Sequence, residues 1–371
     1  MRIGVLTLPF NNNYGGFLQA FALMAVLKQL NHEPTLLYRR PNRYKLPYIS
    51  QIKFSVKNWI LSIIDQKKYP IIWSQEANYQ YRGKKMHTFL NRYITPRTGP
   101  LYSSEELRLV CMDKFDAIIV GSDQVWRPDY VDEIQDYFLE FAIDFDVKRI
   151  AYAASFGTTE NKFSDAQLVR CGNLLSMFDA ISVRETSGID LIHKNVWNVK
   201  PVTCVLDPTM LLPADIYENI IKDLKKSDGG LFCYVLDTND NNLSAIYNLS
   251  RKLKLRINQI SDIQKGRAVL PSVEEWISNI YNADFVITDS FHGMIFSIIF
   301  NKEFAVFVNQ DRGSDRFYSI LSKLGIEDRI FNSADCISCL ASNKIDWKMV
   351  NYKIKILRDK SIVFLTNALN N

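Results

Sequence analysis

Thr288-Asp289-Ser290-Phe291-His292-Gly293 sets a carboxylate, a hydroxyl, an imidazole and a glycine next to one another. An imidazole titrates near neutral pH and can give or take a proton during a reaction. Phe285, Val286 and Ile287 are consecutive β-favouring residues, so Ala283–Thr288 is expected to be a buried strand. Met294–Phe300 is apolar on nearly every side, the pattern of a core helix. His292 then falls in a polar loop between a strand end and a helix start, the corner where open α/β sheets bind ligands. The helix start offers unpaired N–H groups and the positive end of a dipole, both suited to an anion. Gly293 lets the backbone approach a ligand closely. A proton donor beside an anion seat is a catalytic arrangement.

Such a corner needs alternating strands and helices to hold it, and the chain supplies them. Ile3–Thr7, Thr35–Tyr38, Phe115–Val120, Arg149–Ala154, Ala180–Val183 and Val202–Leu206 read as strands, with a helix over Gly15–Leu30. Strand after strand stops at a small or polar cluster: Gly121-Ser122-Asp123, Ser155-Phe156-Gly157, Arg184-Glu185, Asp207-Pro208-Thr209. A parallel sheet with its site at the carboxyl ends has this habit. A second series follows, with strands over Gly230–Leu236, Arg256–Ile260, Ala283–Thr288 and Phe304–Val308 and helices over Asn242–Leu253 and Ser272–Tyr281. The tail Trp347–Leu369 is helical in pattern. The expected fold is α/β, two Rossmann-like domains facing across a cleft. Their expected extents are 1–212, with a basic amphipathic insertion at about 41–100, and 213–345, with a C-terminal helix over 346–371 packing back across both.

At 371 residues, 47% hydrophobic and 23% charged, the chain has material for two cores. No run of about 18 apolar residues occurs, so no membrane span is expected. The N-terminus opens on a strand pattern with no signal peptide, which points to the cytoplasm. The cysteines at 111, 171, 204, 233, 336 and 339 are mostly scattered within apolar segments, as expected of reduced, buried thiols. Cys336-x-x-Cys339 has no second pair or nearby histidine to complete a zinc site, and no metal is expected. Where a dinucleotide loop would follow the first strand stands Asn13-Tyr14-Gly15-Gly16, which disfavours a nicotinamide or flavin cofactor. A Walker loop, a zinc-protease helix and a Gly-x-Ser-x-Gly elbow are all absent from the sequence. The net charge of +5 is uneven, with eight basic residues against one acid between Arg39 and Lys68. Val56, Trp59, Ile60, Ile63 and Ile64 recur there at helical spacing. The resulting basic amphipathic helix suits either its own domain, lysines solvated, or the anionic face of a membrane. No nucleic-acid-binding module accompanies the charge, so nucleic acid is not an expected partner.

Several short pieces occur in a fixed order. They are Asn13-Tyr14-Gly15-Gly16 with Leu18-Gln19-Ala20, Gly121-Ser122-Asp123-Gln124-Val125-Trp126, and Ala151-Tyr152-Ala153-Ala154-Ser155-Phe156-Gly157. Ser182-Val183-Arg184-Glu185, Leu206-Asp207-Pro208-Thr209, the His292 segment and Ser314-x-Arg316 follow. Together they make the chain resemble the polysaccharide pyruvyl transferase family across nearly its whole length. The resemblance implies a glycosyltransferase-B-like fold and phosphoenolpyruvate as donor co-substrate, with no further cofactor. It also implies a sugar hydroxyl pair as acceptor, yielding a pyruvate ketal and inorganic phosphate.

Ketal formation needs a proton on the methylene carbon of the enol ester, and His292 is the candidate acid. The carboxylate and phosphate of the donor call for guanidiniums or helix N-termini. Arg184, at a strand end, is the first expected donor contact, with an ion pair to Glu185 as its structural alternative. Arg316, with Arg312 in reserve, and the Ser290 and Gly293 corner complete the set. Many family members carry an arginine two residues before the histidine; Ser290 stands there in this chain, which shifts the anchoring onto the other groups. Asp123 suits a general base for a sugar hydroxyl, or a helix cap. Trp126 suits a sugar face or the core. Asn13, Tyr14 and Gly15 suit acceptor contacts or a turn. Asp289 orients His292 or caps its helix, and Asp207-Pro208 is expected only to end a strand. The acceptor is expected on the first domain and the donor on the second. A galactose-type hexose of a surface polysaccharide, or its lipid-linked precursor at the inner membrane face, is the expected acceptor. A nucleotide-sugar glycosyltransferase of the same fold and a non-catalytic sugar- or lipid-binding protein are the alternatives.

Overall fold

The computed structural model describes residues 1–41, 75–226, 229–237, 240–259, 269–308, 313–331 and 343–370, with single positions between 49 and 63. Strands β1 (Arg2–Leu6), β2 (Glu33–Leu37), β3 (Ala117–Val120), β4 (Lys148–Ala154), β5 (Ala180–Val183) and β6 (Val202–Cys204) form one sheet. Its order is β2-β1-β3-β4-β5-β6, with every pairing parallel. The second sheet contains β7 (Leu231–Tyr234), β8 (Ile257–Gln259), β9 (Phe285–Thr288), β10 (Glu303–Phe307) and β11 (Ile330–Phe331). Its order is β11-β10-β9-β7-β8, again all parallel. Every residue of β3, β7 and β9 is buried, because helices cover both faces of a parallel sheet; this is why these strands read as unbroken apolar runs.

Strand order in each sheet reverses direction once, between β1 and β3 and between β7 and β9. A reversal leaves adjacent connections on opposite faces and opens a crevice beyond the strand ends. The two crevices face one another. The α/β class expected from the strand pattern, two Rossmann-like halves facing across a cleft, is therefore the observed one. The C-terminal helix (Trp347–Asn370) does pack back across both halves. In the first half, Arg358 donates to the Met210 carbonyl at 2.8 Å and Lys148 to that of Leu369 at 2.7 Å. In the second, Lys353 donates to the Leu324 carbonyl at 2.8 Å.

Four local expectations change. β6 stops at Cys204, two residues before the expected end, and the chain then turns to bring Asp207 inward. His292 lies in the first turn of a helix (Phe291–Ile299), since Ser290 caps that helix by accepting from the Gly293 N–H at 3.3 Å. Arg316 opens a helix (Asp315–Leu324) in place of the expected loop. After the basic stretch, helices Gln75–Arg82 and Lys84–Tyr93 appear where no helix was expected. Most of the basic stretch itself lies outside the described residues, though Ile52, Val56, Trp59, Ile60 and Ile63 are helical and exposed. Cys111, Cys171 and Cys233 are free and buried, and burial pushes their thiols up to about 12. Cys336 and Cys339 lie outside the described residues. Among the described residues no helix is long and apolar enough to cross a membrane.

Candidate active site

A cleft of about 380 Å³ lies between the facing sheet ends. Each half contributes through its switch point. Asn11, Asn12 and Asn13 come from the loop after β1, and Asp123, Gln124 and Tyr130 from the segment after β3. Tyr234 and Leu236 come from the end of β7, and Asp289, Ser290, Phe291 and His292 from the end of β9. Arg316 follows β10, Leu270 follows β8, and Arg82 reaches in from the helix after the basic stretch.

His292 is 5% exposed, and the two halves meet on its ring. Its Nε2 stands 3.6 Å from Asp207 Oδ2 and has no hydrogen-bond partner, while a Cβ on Gly15 would fall 1.9 Å from its Nδ1. Only glycine fits at position 15 with the imidazole there. Asp207 is the hub of the cluster. Its Oδ2 accepts from Ser122 Oγ at 2.8 Å and Arg184 Nη1 at 3.0 Å. Its Oδ1 accepts from the Thr209 hydroxyl at 2.7 Å and the Thr209 N–H at 3.0 Å. Burial works to raise the Asp207 carboxyl, but His292, Arg184 and Thr209 overrule it and hold it well below the usual carboxylate range. A carboxylate at this distance orients the imidazole.

Arg184 is buried, bonded to Asp207 and stacked 4.3 Å from the Phe291 ring centre. It does not line the cleft, so its expected role as the first donor contact is corrected to one of holding the Asp207 cluster. Glu185 is 3.8 Å away, a weaker partner than Asp207. Arg316 does line the cleft, 5.6 Å from the same Phe291 ring. Burial and the neighbouring Arg184 charge push its guanidinium down to about 10. Arg184 Nε and Nη2 and Arg316 Nε make no hydrogen bond, and the nearest carboxylates to the two Arg184 atoms, Glu185 and Asp123, stand 3.8 Å away. Arg312 lies outside the described residues.

Other expected site residues divide. Asp123 lines the cleft in a left-handed conformation (φ 87), costly for a non-glycine residue and of the kind that collects at functional sites. It stands 3.8 Å from Arg184 Nη2. Asn13 and Ser290 also line the cleft, and each caps a helix. Trp126 is fully buried, its Nε1 donating to the Tyr137 carbonyl at 3.0 Å; it belongs to the core and not to an acceptor surface. Tyr14 is likewise buried, stacked on Trp276 with centroids 5.3 Å apart, and so faces no acceptor. Gly15 meets the His292 ring. Gly293 packs against Thr288, where a Cβ would sit 2.4 Å from Oγ1, and its N–H donates to Ser290 Oγ at 3.3 Å. Asp289 neither orients His292 nor caps its helix: it accepts from the Leu236 and Asp237 N–H groups at 2.8 Å, tying β9 to the end of β7.

Sequence reasoning missed Asp207, Arg82 and Tyr130. The signal for Asp207 was available in Asp207-Pro208-Thr209, a carboxylate ending a parallel strand with a threonine two residues on to fix it. For the other two no local pattern marked the position.

Two parallel sheets meeting at facing switch points, with a histidine and an arginine in the cleft between them, define a glycosyltransferase-B-like fold. Solved structures share this fold. The UDP-GlcNAc 2-epimerase of Neisseria meningitidis bound to UDP-GlcNAc matches over 100% of this chain and 99% of its own, with a TM-score of 0.50 and 10% identity. The S. aureus MnaA–UDP co-structure matches over 95% of this chain and 90% of its own, at 0.52 and 12%. The Methanocaldococcus jannaschii UDP-GlcNAc 2-epimerase in complex with UDP-GlcNAc and UDP matches over 96% and 99%, at 0.52 and 10%. No curated protein matches the chain. The chain belongs to the polysaccharide pyruvyl transferase family, whose model matches residues 13–311.

Proposed function

We propose that the cleft moves the enolpyruvyl unit of phosphoenolpyruvate onto two hydroxyls of a hexose, forming a cyclic pyruvate ketal and releasing phosphate. The observation carrying this reading is the juxtaposition in one cleft of His292, buttressed by ionised Asp207, with the Arg316 guanidinium, whose Nε makes no hydrogen bond. His292 protonates the methylene carbon, leaving an oxocarbenium-like centre that the first sugar hydroxyl attacks. The proton lost by that hydroxyl passes to Asp123 or back to His292. Phosphate then leaves, and the second hydroxyl closes the ring as its proton departs with the phosphate. Arg316 holds the dianionic donor on the second half, and the Asn13–Asp123 side of the first half receives the sugar. No metal or further cofactor enters these steps. We further propose a galactose-type hexose of a surface polysaccharide, or its lipid-linked precursor, as acceptor. The exposed apolar positions between Ile52 and Ile63, within the basic stretch, suit the inner face of an anionic membrane.

The test incubates purified protein with phosphoenolpyruvate and galactose-type hexosides, free and lipid-linked. Phosphate release with a product of the ketal mass is expected. Phosphoenolpyruvate left intact with every hexose, while UDP-GlcNAc alone raises the melting temperature, would overturn the reading in favour of nucleotide-sugar chemistry.

A further inference from the structure

The role expected of Trp126, a flat surface for a sugar ring, has a different occupant. After Trp126 is drawn into the core against Phe138, the chain makes one tight turn (Pro128–Tyr130) and returns to the cleft with Tyr130. We infer that Tyr130 is the stacking platform for the acceptor's pyranose ring, and so a specificity-determining residue of the cleft. This rests on the pyruvyl-transfer reading for the identity of the second substrate.

Tyr130 lines the cleft while 44% exposed, a large aromatic surface left in water among polar side chains such as Asn11, Asn13 and Asp123. Its ring is braced from behind. The Arg127 guanidinium lies 4.5 Å from the ring centroid and is itself held by the Gly157 carbonyl and Gln124 Oε1, each at 3.3 Å. A ring already fixed in place loses little freedom when a ligand covers its open face. A pyranose has one face of C–H groups, and in a galactose-type ring the axial 4-hydroxyl leaves the hydrogens of C3, C4 and C5 together on that face. Stacking this face on the phenol ring removes two apolar surfaces from water and aims the hydroxyls at the surrounding polar side chains. Asn11, Asn13 and Asp123 line the same cleft. Arg316 feels the Tyr130 side chain electrostatically, so a sugar stacked there lies beside the anion seat.

Saturation-transfer NMR with methyl β-galactopyranoside tests this on the full chain, alongside steady-state kinetics with the same hexoside and phosphoenolpyruvate. Saturation is expected at H3, H4 and H5 in the wild type, lost in Tyr130→Ala and kept in Tyr130→Phe. In the kinetics, Tyr130→Ala should raise the hexoside KM about tenfold with the phosphoenolpyruvate KM unchanged. No saturation in the wild type, equal saturation in Tyr130→Ala, or a loss in Tyr130→Phe as large as in Tyr130→Ala would overturn the inference. The last outcome would assign the hydroxyl, and not the ring, as the contact. Saturation behaving as expected while no ketal forms would instead refute the transfer chemistry and leave the platform standing.

Discussion

Asp207 and His292 sit on opposite halves of the molecule, and the carboxylate is bonded to Ser122, Arg184 and Thr209 while the imidazole stands 3.6 Å away. Because the folded-state pKa of Asp207 is depressed, the stability it contributes is complete above about pH 4, where the unfolded carboxyl is ionised. That contribution is lost as pH falls through the folded value. Asp207→Asn should therefore flatten the acid side of a stability–pH profile, and lower stability at pH 7 by about 3 kcal/mol by stranding Arg184. Urea unfolding across pH 3 to 7 checks both; an acid slope equal to that of the wild type would show that the carboxylate is not held by charge. Arg316→Ala acts elsewhere. It should raise the phosphoenolpyruvate KM about 10- to 100-fold and leave the hexoside KM unchanged, measured by initial rates. The prominence of His292 was legible because histidine at a strand–helix corner is rare and chemically specific. Arg184 was misjudged as a donor contact for a physical reason: a strand-end arginine is equally suited to substrate or to a buried carboxylate, and only the return of the chain after β6 brings Asp207 within 3.0 Å.

At the scale of elements, the first helix (Tyr14–Gln29) presses its opening turn against the His292 ring. Gly15 and Gly16 are neighbours with opposite tolerances. A methyl at position 15 would overlap the imidazole, whereas at position 16 the nearest atom, on Phe10, is 3.6 Å away, an ordinary contact. Gly15→Ala should displace His292 and reduce kcat about a hundredfold. Gly16→Ala should leave kcat alone and stabilise the helix by up to about 1 kcal/mol. Paired melting curves and initial rates on the two variants decide the matter, since equal losses in both would mean that the helix itself, and not the ring, is sensitive. Strand positions were readable because β3, β7 and β9 are buried on both faces. Helix starts were less so. The run Met294–Phe300 shows only the apolar body of its helix, while the first turn, Phe291 to Gly293, is set by the Ser290 cap and reads as loop. Helices Gln75–Arg82 and Lys84–Tyr93 went unread because each is short, and their apolar positions answer to both halves at once.

For the molecule as a whole, the question is what keeps two sheets in register across a cleft that must admit two substrates. The seam is aromatic. Tyr14, from the first half, stacks on Trp276 at 5.3 Å, meets Tyr234 edge-on at 5.9 Å, and donates to the Pro271 carbonyl at 3.0 Å. Trp276 meets Phe296 of the His292 helix at 5.5 Å, so the seam runs directly to the site. A charged link also spans the halves, Lys85 to Glu275 at 2.9 Å, but both side chains are largely exposed and water screens the pair. The two contacts should therefore weigh very differently. Lys85→Ala is expected to change stability by less than about 0.5 kcal/mol. Tyr14→Ala removes a fully buried ring and its hydrogen bond, and should cost about 3–5 kcal/mol. Since one hydrophobic cluster contains core residues from both sheets, that loss should appear as a single shifted transition. Guanidinium unfolding followed by tryptophan fluorescence and by far-UV circular dichroism measures it. Two separated transitions in Tyr14→Ala would mean that each half carries its own core and that the seam merely joins them. A single shifted one would mean that the two halves unfold as one cooperative unit through their shared core.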